Sequence, residues 1–303
     1  MTVPAFQTWF LPVLKRLADG QVHTMSDLHG VLADELGLSD EDRSEQLASG
    51  RQLKYQNRIH WARSYLKAAG LLESPGRGQV QITERGRGVL AENPPELNVK
   101  YLRRYPEFLA FHTRTTASDE PATPLSLEAT GETPEETVSR LHRELNQALA
   151  EELLDRIKKG SPQFFENLVV DLMVALGYGG SREDAGSVVG KSGDGGIDGI
   201  IKEDRLGLDV IYLQAKRWES SVGRPTVQAF AGSLEGVRAR KGVMITTSEF
   251  SRDARDYVTR IEKKIVLIDG QELAALMIQH DLGVATRAEY KVRAVDGDYF
   301  ELS

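Results

Sequence analysis

Apolar residues recur at helical spacing from the start of the chain. Phe6, Trp9, Phe10, Val13, Leu14 and Leu17 fall three and four apart and predict an amphipathic helix. Leu28, Val31, Leu32, Leu36 and Leu38 mark a second helix, opened by Ser26 as N-cap. Tyr55, Ile59, Ala62, Leu66 and Ala69 mark a third, ended by Gly70. The period then changes. Leu71-Leu72-Glu73, a Pro-Gly-Arg-Gly turn and residues 80–83 read as a β-ribbon, and 84–90 as a short closing helix. Helices followed by a hairpin with a basic tip predict a mostly α winged helix-turn-helix over residues 1–95.

Residues 96–135 are mixed. Tyr101, Tyr105, Phe108 and Phe111 carry enough apolar surface to pack, whereas 117–134, rich in Pro, Thr, Ser and Glu, reads as an acidic, partly flexible linker. A long helix is expected from Glu135 toward Lys159, with Leu141, Leu145, Leu149 and Leu153 four apart. Ser161 as cap and Pro162 at the first helical position open another, through Phe164, Phe165, Leu168, Val169, Leu172 and Leu176. Two short strands follow, then a helix over 225–236, a buried strand at 242–247, a helix over 251–260 and a strand at 265–268. This order predicts a mixed α/β sheet with helices on both faces, forming a second domain over 136–303.

Length and composition fit two such domains: 303 residues accommodate two cores. The absence of cysteine excludes disulfides, thiolate metal sites and cysteine nucleophiles. The six histidines never fall at ligand spacing, which argues against zinc. No apolar run reaches membrane-spanning length and the N-terminus has no export pattern, so a cytoplasmic location is expected.

The net charge of −7 is unevenly spread. Residues 48–88 hold eight Arg/Lys against two Glu, a local +6, and 107–155 hold three Arg against eleven Asp/Glu, a local −8. An acidic segment thus hides a basic one, and local patches decide contact with phosphate. On the third helix the apolar stripe leaves Lys54, Asn57, Arg58 and Arg63 for solvent, and Arg77 sits at the hairpin tip. These five are the expected DNA contacts.

The chemistry concentrates in Gly193-Asp194-Gly195-Gly196-Ile197-Asp198-Gly199 and in Gln214-Ala215-Lys216-Arg217-Trp218. Side chains alternate along a strand, so Gln214 and Lys216 project from one face. If the two strands pair, Asp198 joins them. A carboxylate to anchor Mg²⁺, an amide oxygen and an ammonium suit hydrolysis of a phosphodiester, and the glycines allow a phosphate close approach. A relaxed P-loop pattern at 185–192 has polar residues before it and glycines after it, the wrong context for nucleotide binding.

These segments resemble the PD-(D/E)xK nucleases, in the subgroup where Gln replaces the second-motif Glu. With Phe165-Glu166, Leu176-Gly177-Tyr178-Gly179-Gly180 and Gly242-Val243-Met244-Ile245-Thr246-Thr247-Ser248, nearly the whole chain is similar to the Mrr family of restriction endonucleases. The resemblance implies a restriction-endonuclease-like fold behind a winged-helix domain. It also implies a type IV, modification-dependent endonuclease that restricts foreign methylated double-stranded DNA with Mg²⁺ or Mn²⁺, acting as a homodimer or larger homo-oligomer. Asp198 and Gln214 become metal ligands, Gln214 and Lys216 the second catalytic motif, Glu166 an auxiliary acid, and Gln228 a supporting polar residue. Asp194 is a loop cap or a second metal contact. Ile197 stands where the wider superfamily has proline, as in this subgroup, and Gln214 binds metal less well than Glu. A repair or junction-resolving nuclease, and a DNA-binding regulator with a vestigial nuclease fold, are the alternatives.

Overall fold

The computed structural model describes residues 2–76, 78–114, 131–179, 196–204 and 208–293. Arg77, Asp194, the 185–192 stretch and most of the 117–134 linker lie outside them. The chain forms two compact units, 1–143 and 144–303.

The first unit opens with a 3₁₀ turn at Phe6–Trp9 and helix α1 (Phe10–Arg16). Strand β1 (His23–Thr24), α2 (Met25–Glu35), α3 (Asp40–Ser44) and α4 (Lys54–Ala68) follow. Then come β2 (Leu72–Glu73), β3 (Gln79–Ile82), α5 (Glu84–Glu92), α6 (Val99–Leu102) and α7 (Pro106–Arg114). The strands form an antiparallel sheet in the order β1-β3-β2. Helices with a β-ribbon match the winged-helix expectation. The cap of α2 differs from the expected one: Thr24, not Ser26, accepts from the Asp27 N–H at 3.2 Å, because β1 ends at Thr24 and the helix starts two residues earlier than expected.

Phe6, Trp9, Phe10, Val13 and Leu14 bury the expected stripe against Ile59, Ala62 and Leu66 of α4. Leu97, Val99, Leu102 and Phe108 join this core, so the stretch after residue 95 packs as part of the first unit. Each fully buried Leu or Phe contributes roughly 1.5–3 kcal/mol of transfer free energy.

His29 of α2 and His60 of α4 meet edge-on, 5.0 Å between ring centroids. Burial and the neighbouring imidazole push His29 down to about 4, and burial, then Arg63, lowers His60. Both rings therefore fold neutral. Stability from this pair is present above the unfolded imidazole value and is lost as pH falls below about 6.5 toward 4. We expect a loss on the order of 2 kcal/mol across that window, read by urea unfolding, and a shallower slope for His29→Asn. An unchanged slope in the variant refutes the assignment.

The second unit contains the body of α8 (Pro134–Lys159), whose first residues count with unit one. It continues with α9 (Pro162–Ala175), β4 (Gly199–Lys202), β5 (Val210–Lys216), α10 (Arg224–Gly236), β6 (Lys241–Thr246), α11 (Arg252–Val258), β7 (Lys264–Ile268) and α12 (Gly270–Gln279). Ser161 accepts from the Phe164 N–H at 3.1 Å and Pro162 stands in the first turn, as predicted. The sheet order is β4-β5-β6-β7; β4 and β5 are antiparallel and the other pairs parallel.

Helices cover both faces. Ile211 and Leu213 of β5 and Val243 and Ile245 of β6 pack toward α8, α9 and α12, while Tyr212 and Met244 pack toward α10 and α11. β6, buried on both faces, reads as a continuous apolar run for that reason. Gly242 lets α10 approach: a Cβ there would lie 2.8 Å from the Phe230 ring. Among the described residues no helix is long and apolar enough to cross a membrane.

Candidate active site

The antiparallel register sets Gly199 opposite Leu213, which places Asp198 beside Gln214, one residue beyond the β4 ladder. The Asp198 N–H donates to the Leu213 carbonyl at 2.9 Å, and its carboxylate Oδ2 accepts from the Ala215 N–H at 2.8 Å. The first bond holds the Asp198 backbone, and the second its carboxylate, against the strand that carries Gln214 and Lys216.

Gln214 is 4 % exposed and lies in register with Met244, on the sheet face that packs under α10 and α11. Its Nε2 donates to the Gly196 carbonyl. A carbonyl only accepts, so the amide group must face it and the assignment of N and O is fixed. Oε1 is left buried with no hydrogen-bond partner among the described residues. An unpaired buried acceptor costs about 1–3 kcal/mol, so it marks a position kept for a donor or a cation. Gly196 is required here: its φ is +99°, and a Cβ would lie 2.7 Å from Gln214 Nε2.

Glu166 is half-buried on α9, the layer over the sheet face opposite Gln214, and lies within electrostatic reach of Asp198 and Lys216. Its carboxyl titrates above the usual range because burial disfavours the charged form and Asp198 adds a second negative charge, while Lys216 pulls it down. Glu166 thus senses the charges of Asp198 and Lys216, while Asp198 and Gln214 share a register position on the strand pair. The donor set of two carboxylates and one unpaired amide oxygen suits a hard divalent cation, which takes oxygen ligands and keeps several waters. Among the described residues no cluster of three or more His, Cys, Asp or Glu side chains occurs.

Arg217, next in the chain, donates to the Lys158 carbonyl at the end of α8. Gln228 stands elsewhere. It is exposed on α10 and lines an open cleft with Glu235, Tyr257 and Lys263, and no contact among the described residues brings it to Asp198 or Lys216.

Of the expected DNA contacts on α4, Asn57 and Arg58 need correction. Asn57 is 3 % and Arg58 8 % exposed, so neither is free for a groove. Arg58 donates to Glu136 at 2.8 Å and to the carbonyls of Val3 and Pro4. Asn57 donates to Gln52, and Lys54 pairs with Glu45 at 2.7 Å. Arg63 is half-buried and bonds Ser74 at 2.7 Å. The physical reason is that α4 runs through the middle of its unit, and acidic side chains distant in sequence neutralise its polar side. One signal was readable: Thr133 and Glu136 exchange the two hydrogen bonds of a capping box, which fixes the acidic turn that covers Arg58.

A mixed sheet between two helical layers, with an acid, an amide and a lysine gathered where its antiparallel pair ends, defines a restriction-endonuclease-like nuclease domain. A family model described as restriction endonuclease matches residues 157–277, and one described as the Mrr N-terminal domain matches residues 6–92. The type IV methyl-directed restriction enzyme EcoKMrr of Escherichia coli strain K12 is 40% identical over 315 aligned positions, covering 99% of this chain and 100% of that protein. The chain belongs to the Mrr family of restriction endonucleases. The structure of MspJI restriction endonuclease in complex with a 27-mer oligonucleotide overlaps 64% of this chain and less than half of its own, 43%, at 24% identity and a TM-score of 0.34, too loosely to inform the site.

Proposed function

We propose that this protein is a divalent-metal-dependent endonuclease that cuts double-stranded DNA carrying methylated bases. The observation that carries the reading is the buried Oε1 of Gln214, without a hydrogen-bond partner among the described residues, at the register position of Asp198 and two residues before Lys216 on β5. The methyl-directed title of its Escherichia coli relative supports the substrate class.

Asp198 and Gln214 would hold the cation, with Glu166 near enough to add a charge. When bound, Mg²⁺ or Mn²⁺ neutralises phosphate charge and makes a bound water more acidic. The protein's own groups do the rest. Lys216 places an ammonium where negative charge accumulates on the phosphate. Glu166, with its raised affinity for protons, takes the proton of the attacking water. The bond from the Ala215 N–H keeps the Asp198 carboxylate from turning away. Cutting both strands calls for two such sites, hence at least two copies of the chain.

The test is plasmid cleavage with Mg²⁺ on three substrates: adenine- or cytosine-methylated duplex, the same duplex unmodified, and a branched junction. Cleavage confined to methylated plasmid is expected. Equal cutting of unmodified plasmid removes the methyl requirement, and preference for the junction favours a repair role.

A further inference from the structure

β5 and β6 run in register up to the pair Lys216–Thr246, and pairing resumes only at the bridge Val222–Phe250. Between these points the β5 side has more residues than the β6 side, so an ordinary backbone ladder cannot match them one to one. Side-chain hydroxyls fill the gap instead. Thr246 Oγ1 donates to the Lys216 carbonyl, Thr247 Oγ1 to the Trp218 carbonyl and Ser248 Oγ to the Ser220 carbonyl, each at 2.8 Å. Three consecutive hydroxyls thus take alternate carbonyls of the chain leaving β5.

The first rung is the most heavily bonded. The Lys216 carbonyl also accepts from the Thr247 N–H at 3.2 Å and the Trp218 N–H at 3.0 Å, three donors on one oxygen. The Ser248 N–H donates back to Thr246 Oγ1 at 3.2 Å, which fixes that hydroxyl's direction. Thr246 and Thr247 are buried, so their hydroxyls have no water to exchange with. Lys216 is the last residue of β5. Its ammonium is only as well placed as the backbone that carries it, and at a strand end that backbone would fray without these bonds.

We propose that Thr246, Thr247 and Ser248 are positioning residues for Lys216, a hydroxyl ladder that holds the strand end so that the lysine meets the phosphate in a productive geometry. The proposal rests on the reading of Lys216 as part of the nuclease site. A misplacement of about 1 Å in such a group can cost on the order of 10²-fold in rate. Closure of the sheet edge alone would instead cost stability and leave the turnover of folded enzyme unchanged.

The experiment compares wild type, Thr246→Val, Thr246→Ser, Thr247→Val and Lys216→Ala in steady-state cleavage of methylated plasmid with Mg²⁺. The folded fraction is read by circular dichroism, and amide hydrogen exchange is followed over residues 214–220. Thr246→Val keeps the shape and loses the hydroxyl. It is expected to lower kcat about tenfold or more, with KM for DNA within twofold, and to raise exchange at the Trp218 amide. Thr246→Ser is expected to restore both readouts, and Thr247→Val to give a smaller fall in kcat. The proposal is overturned if both valine variants keep kcat within twofold of wild type, or if kcat falls only in step with the folded fraction. If Thr246→Val does not fold, Thr247→Val decides by the same criterion. Cutting by Lys216→Ala at the wild-type rate overturns the underlying reading of the site. A dead Lys216→Ala beside fully active valine variants overturns the ladder alone.

Discussion

Asp198→Ala and Lys216→Ala are each expected to lower cleavage of a susceptible plasmid by about 10²- to 10³-fold or more, with the fold intact. Asp198 is held to β5 twice, its N–H donating to the Leu213 carbonyl and its carboxylate accepting from the Ala215 N–H. Removing it leaves Gln214 Oε1 as a weak neutral donor, with Glu166 the acid coupled to this region among the described residues. Lys216 balances the charge of both carboxylates, so its loss also lets the Glu166 carboxyl rise further. Single-turnover cleavage with saturating Mg²⁺ distinguishes the two: excess metal partly rescues a ligand variant but not a missing ammonium. Robust cutting by either variant sinks the site assignment. Circular dichroism guards against unfolding, since both side chains sit at the rim of the sheet and not in its core.

The second large effect is structural. Arg58→Ala is expected to destabilise the first unit by up to about 3–5 kcal/mol, because the mostly buried Glu136 carboxylate loses its close guanidinium partner and keeps the more distant Lys54 ammonium at 4.0 Å. The carbonyls of Val3 and Pro4 lose their donor in the same step. Replacing both partners, Arg58→Met with Glu136→Leu, is expected to cost far less, since no buried charge is left unpaired. Urea unfolding of the two variants and wild type measures this. A loss below 1 kcal/mol for Arg58→Ala alone would show that the pair is solvated and the burial misleading.

The two results divide along what a sequence displays. Strand parity is local, with a period of two, so Gln214 and Lys216 on one face could be read from spacing. The glycines around Asp198 announced a tight, close-approach turn, and Gly196 is held at a φ that favours glycine. Ser161-Pro162 marked a helix start in the same local way. Burial of a polar helix face is not local. Arg58 and Asn57 fall off the apolar stripe of α4 and look solvated, yet the acid that covers Arg58 lies 78 residues further along. Periodicity reports one buried stripe and is silent about a second face covered by ion pairs. Helix α12 lies outside the predicted elements although its signals are present: Asp269 and Glu272 form a capping box, and Leu273, Ala274 and Met277 keep helical spacing. Gln214 Oε1 could not be read at all, since an unpaired acceptor exists only once the Gly196 carbonyl has claimed the other end of the amide.

The Arg58–Glu136 pair has a practical meaning for dissecting the protein. A fragment cut after residue 95 would keep the guanidinium and discard its carboxylate, together with Leu97, Val99, Leu102 and Phe108 from the core. Such a piece would expose apolar surface and a stranded charge at once, and its failure to bind DNA would say nothing about the intact first unit. The portable unit must run past Thr137, into the first turns of α8. Evolutionary shuffling of the N-terminal module onto another nuclease would face the same constraint, so the seam for exchange falls within a helix and not in the acidic stretch before it.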